Sequence, residues 1–148
     1  MKSLHLAGPE DLDRLLPLVA GFHAERGNEI DADHIGAALA PLLEGQPHGA
    51  VWLIGPRKAP VGYVAVSFGW SLQFGGLDAT VNEIFIRAAV RRRGMGGEAL
   101  DVLAKGLRDS GITALHIEVD RDDEGLQRFY RRARFRLREQ TAPMTRAL

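Results

Sequence analysis

The chain has 148 residues, 45% hydrophobic and 26% charged, the make-up of one globular domain able to bury a core, and not of a disordered or fibrous chain. It has no cysteine, which excludes a disulfide framework, a thiolate metal site and a thiol nucleophile, and suits a reducing compartment. Net charge is zero, but residues 1–86 hold 5 basic and 10 acidic side chains and residues 87–148 hold 14 and 9, so the basic half could serve nucleic acid, an anionic cofactor or the chain's own acidic half.

No apolar stretch of signal-peptide type follows Met1, and no apolar run is long enough to span a bilayer. The expectation is a cytoplasmic protein of one domain, residues 1–148, with no membrane partner. Leu4–Leu6 is a short strand. Pro9 then opens a helix with Leu12, Leu15, Leu16, Val19 and Phe22 or His23 at helical spacing, which Pro17 should kink. A second helix runs from Asp31 as N-cap through Ile35, Leu39 and Leu43, with Gly45 as its stop. After Gly49 the period changes to that of strands: Ala50–Ile54, Val61–Phe68 and Ala79–Ile86, with residues 70–76 ambiguous. A helix with Leu100, Leu103 and Leu107 on one face ends at Gly111. Ala114–Val119 alternates as a strand, Glu124–Arg132 is a short helix, and Phe135 is expected to begin a last strand. This order predicts a mixed α/β fold, largely antiparallel in its front half.

Between the third long strand and the helix lies Arg91-Arg92-Arg93-Gly94-Met95-Gly96-Gly97. A helix start offers unpaired N–H groups and a positive dipole end, and glycines let a ligand approach the backbone, so the segment suits an anion. It matches neither the dinucleotide fingerprint nor the P-loop. A tight turn with solvated arginines is the plain alternative.

Arg91-x-x-Gly94-x-Gly96 resembles the pyrophosphate loop of the GNAT acetyltransferase superfamily. The flanking Asn82-Glu83-Ile84-Phe85-Ile86 and Glu98-Ala99-Leu100 resemble that family's fourth strand and third helix, and Leu126–Arg132 resembles its late helix ending in Phe-Tyr. The resemblance implies a mixed, mostly antiparallel twisted sheet splayed between strands 4 and 5, flanked by about four helices, with acetyl-CoA in the gap. It also implies an N-acetyltransferase acting on a primary amine; a homodimer is a possible assembly.

By the same resemblance, the main chain of Arg92, Arg93, Gly94, Met95, Gly96 and Gly97 would hold the CoA pyrophosphate, with Arg91 as the motif's first position. The main chain of Ile84, Phe85 and Ile86 would pair with the pantetheine arm, and Asp123 stands where the family often has a cofactor-contacting Asn. Tyr130 is the expected acid, protonating the departing thiolate, and Phe129 is expected to be the more buried of the two. Glu83 is the expected base, since an amine near pKa ~10 arrives protonated; a counter-charge for the ammonium or a structural hydrogen bond are its other readings. Three positions depart from the family pattern: Asp123; Arg134 in place of the usual Gly before Phe135, so the turn there is expected to be built differently; and Asn82 in place of the Glu typical of the polyamine-acetylating branch.

The five histidines, His5, His23, His34, His48 and His116, show no metal spacing, so no metal is expected. Nucleic acid is not expected either, because the arginines cluster without interleaved aromatics. Glu25, Glu29, Asp31 and Asp33, with Trp70 and Phe74, suit a small cationic amine. Acetylation of a protein amine and a non-catalytic CoA-binding module are the competing readings.

Overall fold

A computed structural model describes residues 4–148, which fall into two compact units, residues 4–118 and residues 119–148. The first unit holds β1 (Leu4–Leu6), α1 (Leu12–Glu25), α2 (Ala32–Leu43), β2 (Gly49–Ile54), β3 (Gly62–Ser71), β4 (Gly76–Ile86), α3 (Met95–Asp109) and β5 (Ala114–Ile117). A single 3-10 turn at Pro9–Asp11 leads into α1, which runs through Pro17 as one element. Asp31 caps α2 by accepting from the His34 N–H at 2.8 Å. Gly45 and Gly111 take the left-handed φ that stops the helices before them.

The five strands stand in the order 1-2-3-4-5. Strands 1 to 4 are antiparallel neighbours, and β5 lies parallel to β4, as a strand reached through the crossover helix α3 must. No described helix is long and apolar enough to cross a membrane. Leu15, Leu18 and Val19 of α1 and Ile35, Leu39 and Leu43 of α2 are buried with Val51, Leu53 and Tyr63 against one face of β2 and β3. Ile54, Val64, Val66, Ala79 and Val81 are the buried residues of the other face, and α3 buries Ala99, Leu100, Leu103 and Leu107 along one side. The sheet and four helices are those expected.

The second unit is built around α4 (Glu124–Arg132), whose start Asp123 caps with a 3.0 Å bond from the Leu126 N–H. Gln127 secures the approach to it by donating from Nε2 to the carbonyls of Asp120 and Arg121. Two expectations are corrected here. No strand follows β5 among the described residues: the alternation at Phe135 and Leu137 is too short, no ladder partner pairs with it, and residues 138–148 are exposed. Nor is the turn at Arg134 built differently from a glycine turn. Arg134 itself adopts φ +72°, and the N–H groups of Arg134 and Phe135 bond to the carbonyls of Arg131 and Tyr130, the paired closure that normally uses glycine.

An L-residue pays about 1–2 kcal/mol for that left-handed conformation, part of which a glycine would return as extra freedom in the unfolded chain. Arg134→Gly is therefore expected to stabilise the protein by about 1 kcal/mol, seen as a higher Tm. A lower Tm would mean that the arginine side chain makes a compensating contact.

Candidate active site

Strand β4 organises the site, because its two halves have different neighbours. Residues Asp78–Val81 pair with Ala114–Ile117 of β5, whereas residues 82–86 keep only β3. The sheet therefore opens between β4 and β5 at Asn82. Within β4 the pairing also slips: Ala65 of β3 lies opposite Glu83 and Val66 opposite Val81, leaving Asn82 as the extra residue of a β-bulge. The Arg87 N–H donates to the Val61 carbonyl at 2.8 Å, so alternation turns the main-chain groups of Phe85 toward β3 and those of Ile84 and Ile86 toward the open side.

Glu83 stands at the opening, and both its carboxylate oxygens are engaged. The Tyr63 hydroxyl donates to Oε1 at 2.7 Å, and His23 Nε2 lies 3.0 Å from Oε2. Asn28 Nδ2 sits 3.0 Å from His23 Nδ1. With the amide donating there, the imidazole proton lies on Nε2 and is given to Glu83. Tyr63 is fully buried, edge-on to Phe22 and tilted against Phe85. That burial, then the hydrogen bond to Glu83 and its negative charge, push the Tyr63 phenol far above its ordinary range, so it stays a donor. The Glu83 side chain remains 24% exposed, enough for a ligand to reach. The arrangement is a carboxylate fixed in orientation by two donors and open on its remaining lone pairs.

The glycine loop begins just beyond β4. Arg92 has φ +65° and Gly94 φ +78°, two left-handed residues in three, and Arg92 bears the steric cost of an L-residue there. The turn delivers the chain into α3, where the Glu98 N–H is the first to find a helical acceptor, Gly94 O. The N–H groups of Met95, Gly96 and Gly97 precede it and lack an acceptor within the helix. A Cβ on Gly94 or Gly97 would meet nothing within 4 Å, so the space before this helix end is open. The side chains of Arg92 and Arg93 are exposed and have no ion-pair partner among the described residues. Backbone donors, a helix dipole and two unpaired guanidinium groups together fit a pyrophosphate.

Arg91 is placed differently from its two neighbours. Its guanidinium donates from Nη2 to both Glu25 carboxylate oxygens at 2.7 and 2.8 Å, donates from Nε to the Ile86 carbonyl, and stacks 5.3 Å from the Phe85 ring centre. The side chain thus ties the end of α1 to the end of β4. Two of the four acidic residues expected to attract a cation are engaged in this way, Glu25 by Arg91 and Asp31 by the α2 cap; Glu29 and Asp33 remain exposed.

In the second unit, Asp123 is the α4 cap and Tyr130 lies three residues beyond Gln127 on the helix's buried side. Tyr130 is 7% exposed and packs edge-on to Phe129 and Phe135, while Phe129 is only half-buried. This reverses the expected burial of the pair, because the helical spacing puts Gln127 and Tyr130, not Phe129, on one face.

Sequence reasoning missed His23, Asn28 and Tyr63. His23 sits in an apolar helical pattern and Tyr63 in an apolar strand, and neither shows a spacing that points to Glu83. It also left His116 unpartnered; its Nε2 lies 3.0 Å from Asp78 Oδ2, with the Phe74 ring 5.7 Å away.

Residues 15–135 match the family model described as the acetyltransferase (GNAT) family. No curated protein matches the chain. An integron cassette protein from the mobile metagenome of Cole Harbour Salt Marsh is 31% identical with a TM-score of 0.85, covering 99% of this chain and 90% of its own. An aminoglycoside acetyltransferase from an uncultured soil metagenomic sample, in complex with trehalose, is 17% identical with a TM-score of 0.78, over 98% of this chain and 95% of its own. A ribosomal-protein-alanine N-acetyltransferase from Brucella melitensis biovar Abortus 2308 is 18% identical with a TM-score of 0.78, over 99% of this chain and 100% of its own.

Proposed function

The chain belongs to the acetyltransferase (GNAT) family, and from that premise we propose that it transfers an acetyl group from acetyl-CoA to the primary amine of a small cationic molecule. The observation that carries this reading is Glu83: a carboxylate at the opening of the sheet, held by Tyr63 and His23 and still reachable from solvent. Acetyl-CoA supplies the thioester carbonyl and a thiolate leaving group. Arg92 to Gly97 bind its pyrophosphate through main-chain donors, and Ile84, through both its main-chain groups, and Ile86, through its N–H, pair with its pantetheine arm. Glu83 takes a proton from the acceptor ammonium, and the freed amine attacks the carbonyl directly. As the C–N bond forms and the C–S bond breaks, Tyr130 gives its hydroxyl proton to the sulfur, the nitrogen gives up its surplus proton to solvent, and solvent returns a proton to the Tyr130 phenolate. Main-chain N–H groups on the unpaired side of β4 face the oxygen on which charge develops.

The fold alone does not choose the acceptor, since its neighbours include enzymes named for an aminoglycoside and for a ribosomal protein. The Glu83 carboxylate at the opening favours a cation.

Glu83→Gln tests this reading. The variant keeps the side chain's shape and one of its two acceptor oxygens but cannot take a proton. Turnover is expected to fall about a hundredfold or more, most steeply at acidic pH where the amine arrives protonated, and one limb of the pH–rate profile should disappear. A variant that raises only the acceptor KM, with the profile intact, would make Glu83 a binding group.

A further inference from the structure

A second carboxylate–imidazole pair lies on the same face of the sheet as Glu83 and His23. Asp78 and Glu83 are five positions apart on β4, an odd separation that would put them on opposite faces of a regular strand. The extra residue at Asn82 reverses that parity. Asp78 lies opposite Gly69 and Glu83 opposite Ala65, and positions 65, 67 and 69 of β3 share one face. The two carboxylates therefore point the same way, four β3 residues apart, or about 13 Å.

What lies between them is small. Ala65, Ser67 and Gly69 line β3 on this face and Thr80 lines β4, whereas the opposite face of the same stretch of β3 carries Val64, Val66, Phe68 and Trp70. The helices α1 and α2 cover the face as far as Ala65 and Phe85. Beyond them exposure rises to Ser67 and Gly69. The result is an uncovered trough with a carboxylate at each end.

The Asp78 end is built to hold a charge in place. His116, opposite Thr80 on β5, takes Oδ2, and the Phe74 ring stands beside that imidazole. Oδ1 lies over the bare Cα of Gly69, where a Cβ would come within 3.0 Å of it. The Asp78 carboxylate and the exposed Phe74 ring flank the same imidazole, and together they suit an ammonium group, through ion pairing and cation–π attraction.

We infer that Asp78, with Phe74 and His116, is a second acceptor subsite that binds a distal ammonium group while the reacting amine sits at Glu83. The acceptor it selects is an extended dication with nitrogens about 13 Å apart. This rests on Glu83 marking the amine end of an acetyltransferase site.

The test measures kcat/KM for straight-chain α,ω-diamines of increasing length, each against the monoamine of the same chain length, with acetyl-CoA and release of free thiol as the readout. For the wild-type chain the diamine-to-monoamine ratio is expected to peak at about tenfold when the nitrogens span the trough, beyond the statistical advantage of two reactive ends. Asp78→Asn keeps an oxygen for His116 and removes only the charge, so the ratio should fall to near parity. Ser67→Leu, which fills the middle of the trough, should depress the ratio for long diamines and spare it for short ones. A ratio that survives Asp78→Asn, or rates for diamine and monoamine that fall together, would make the Asp78–His116 pair a cross-strand structural bond and overturn the inference. Efficient turnover with no diamine advantage at any length overturns this inference alone, whereas no turnover of any amine overturns the acceptor assignment of Glu83 as well.

Discussion

Tyr130→Phe is expected to lower turnover by about a hundredfold or more while acetyl-CoA affinity barely changes. The substitution deletes one hydroxyl and keeps the ring that packs edge-on to Phe129 and Phe135, so the helix face that holds it is preserved. A thiol of pKa roughly 8.5 leaves more readily when a phenol protonates it, and only the transition state uses that proton. The loss should therefore fall on kcat and not on the cofactor's Kd. The burial of Tyr130 sharpens the contrast: a tyrosine kept for packing alone would leave turnover unaltered when changed to Phe, under conditions where chemistry limits the rate.

Gly96→Val is expected to abolish CoA binding without unfolding the protein. Gly96 is the second residue of α3, between two more residues whose N–H groups have no helical acceptor. A branched side chain there stands in the path of an anion approaching those donors. The helix itself does not need the glycine, since valine has the better helix propensity by a few tenths of a kcal/mol. Stability should stay level or rise slightly while calorimetry shows CoA binding lost. Normal CoA affinity in a folded Gly96→Val protein would remove the loop from the cofactor site.

These two variants rest on features the sequence carried openly. The glycine loop, the capping Asp31 and Asp123, and the helix Glu124–Arg132 are local patterns, set by residues a few positions apart, and they fold where their spacing put them. What the sequence did not carry is pairing. The bulge at Asn82 is defined by which β3 residue stands opposite, and it decides that Asp78 and Glu83 share a face. His23 reaches Glu83 across sixty residues of chain, and its helical neighbours give no sign of a polar partner. The last strand failed for the complementary reason: Phe135 and Leu137 alternate as strand residues do, but a strand exists only where a partner accepts its ladder. Arg134 kept a glycine's conformation because the closing bonds to Arg131 and Tyr130 hold it there.

The most direct measurement mixes the protein with acetyl-CoA and a panel of primary amines, small cationic molecules and protein substrates together, and follows free thiol against acetylated amine. Amine-dependent thiol release in equal amount to acetylated product, fastest with the small cationic acceptors and lost in Glu83→Gln, is the predicted result. Tight CoA binding with no acetyl transfer to any amine on the panel would contradict it, and would leave the chain a CoA-binding module.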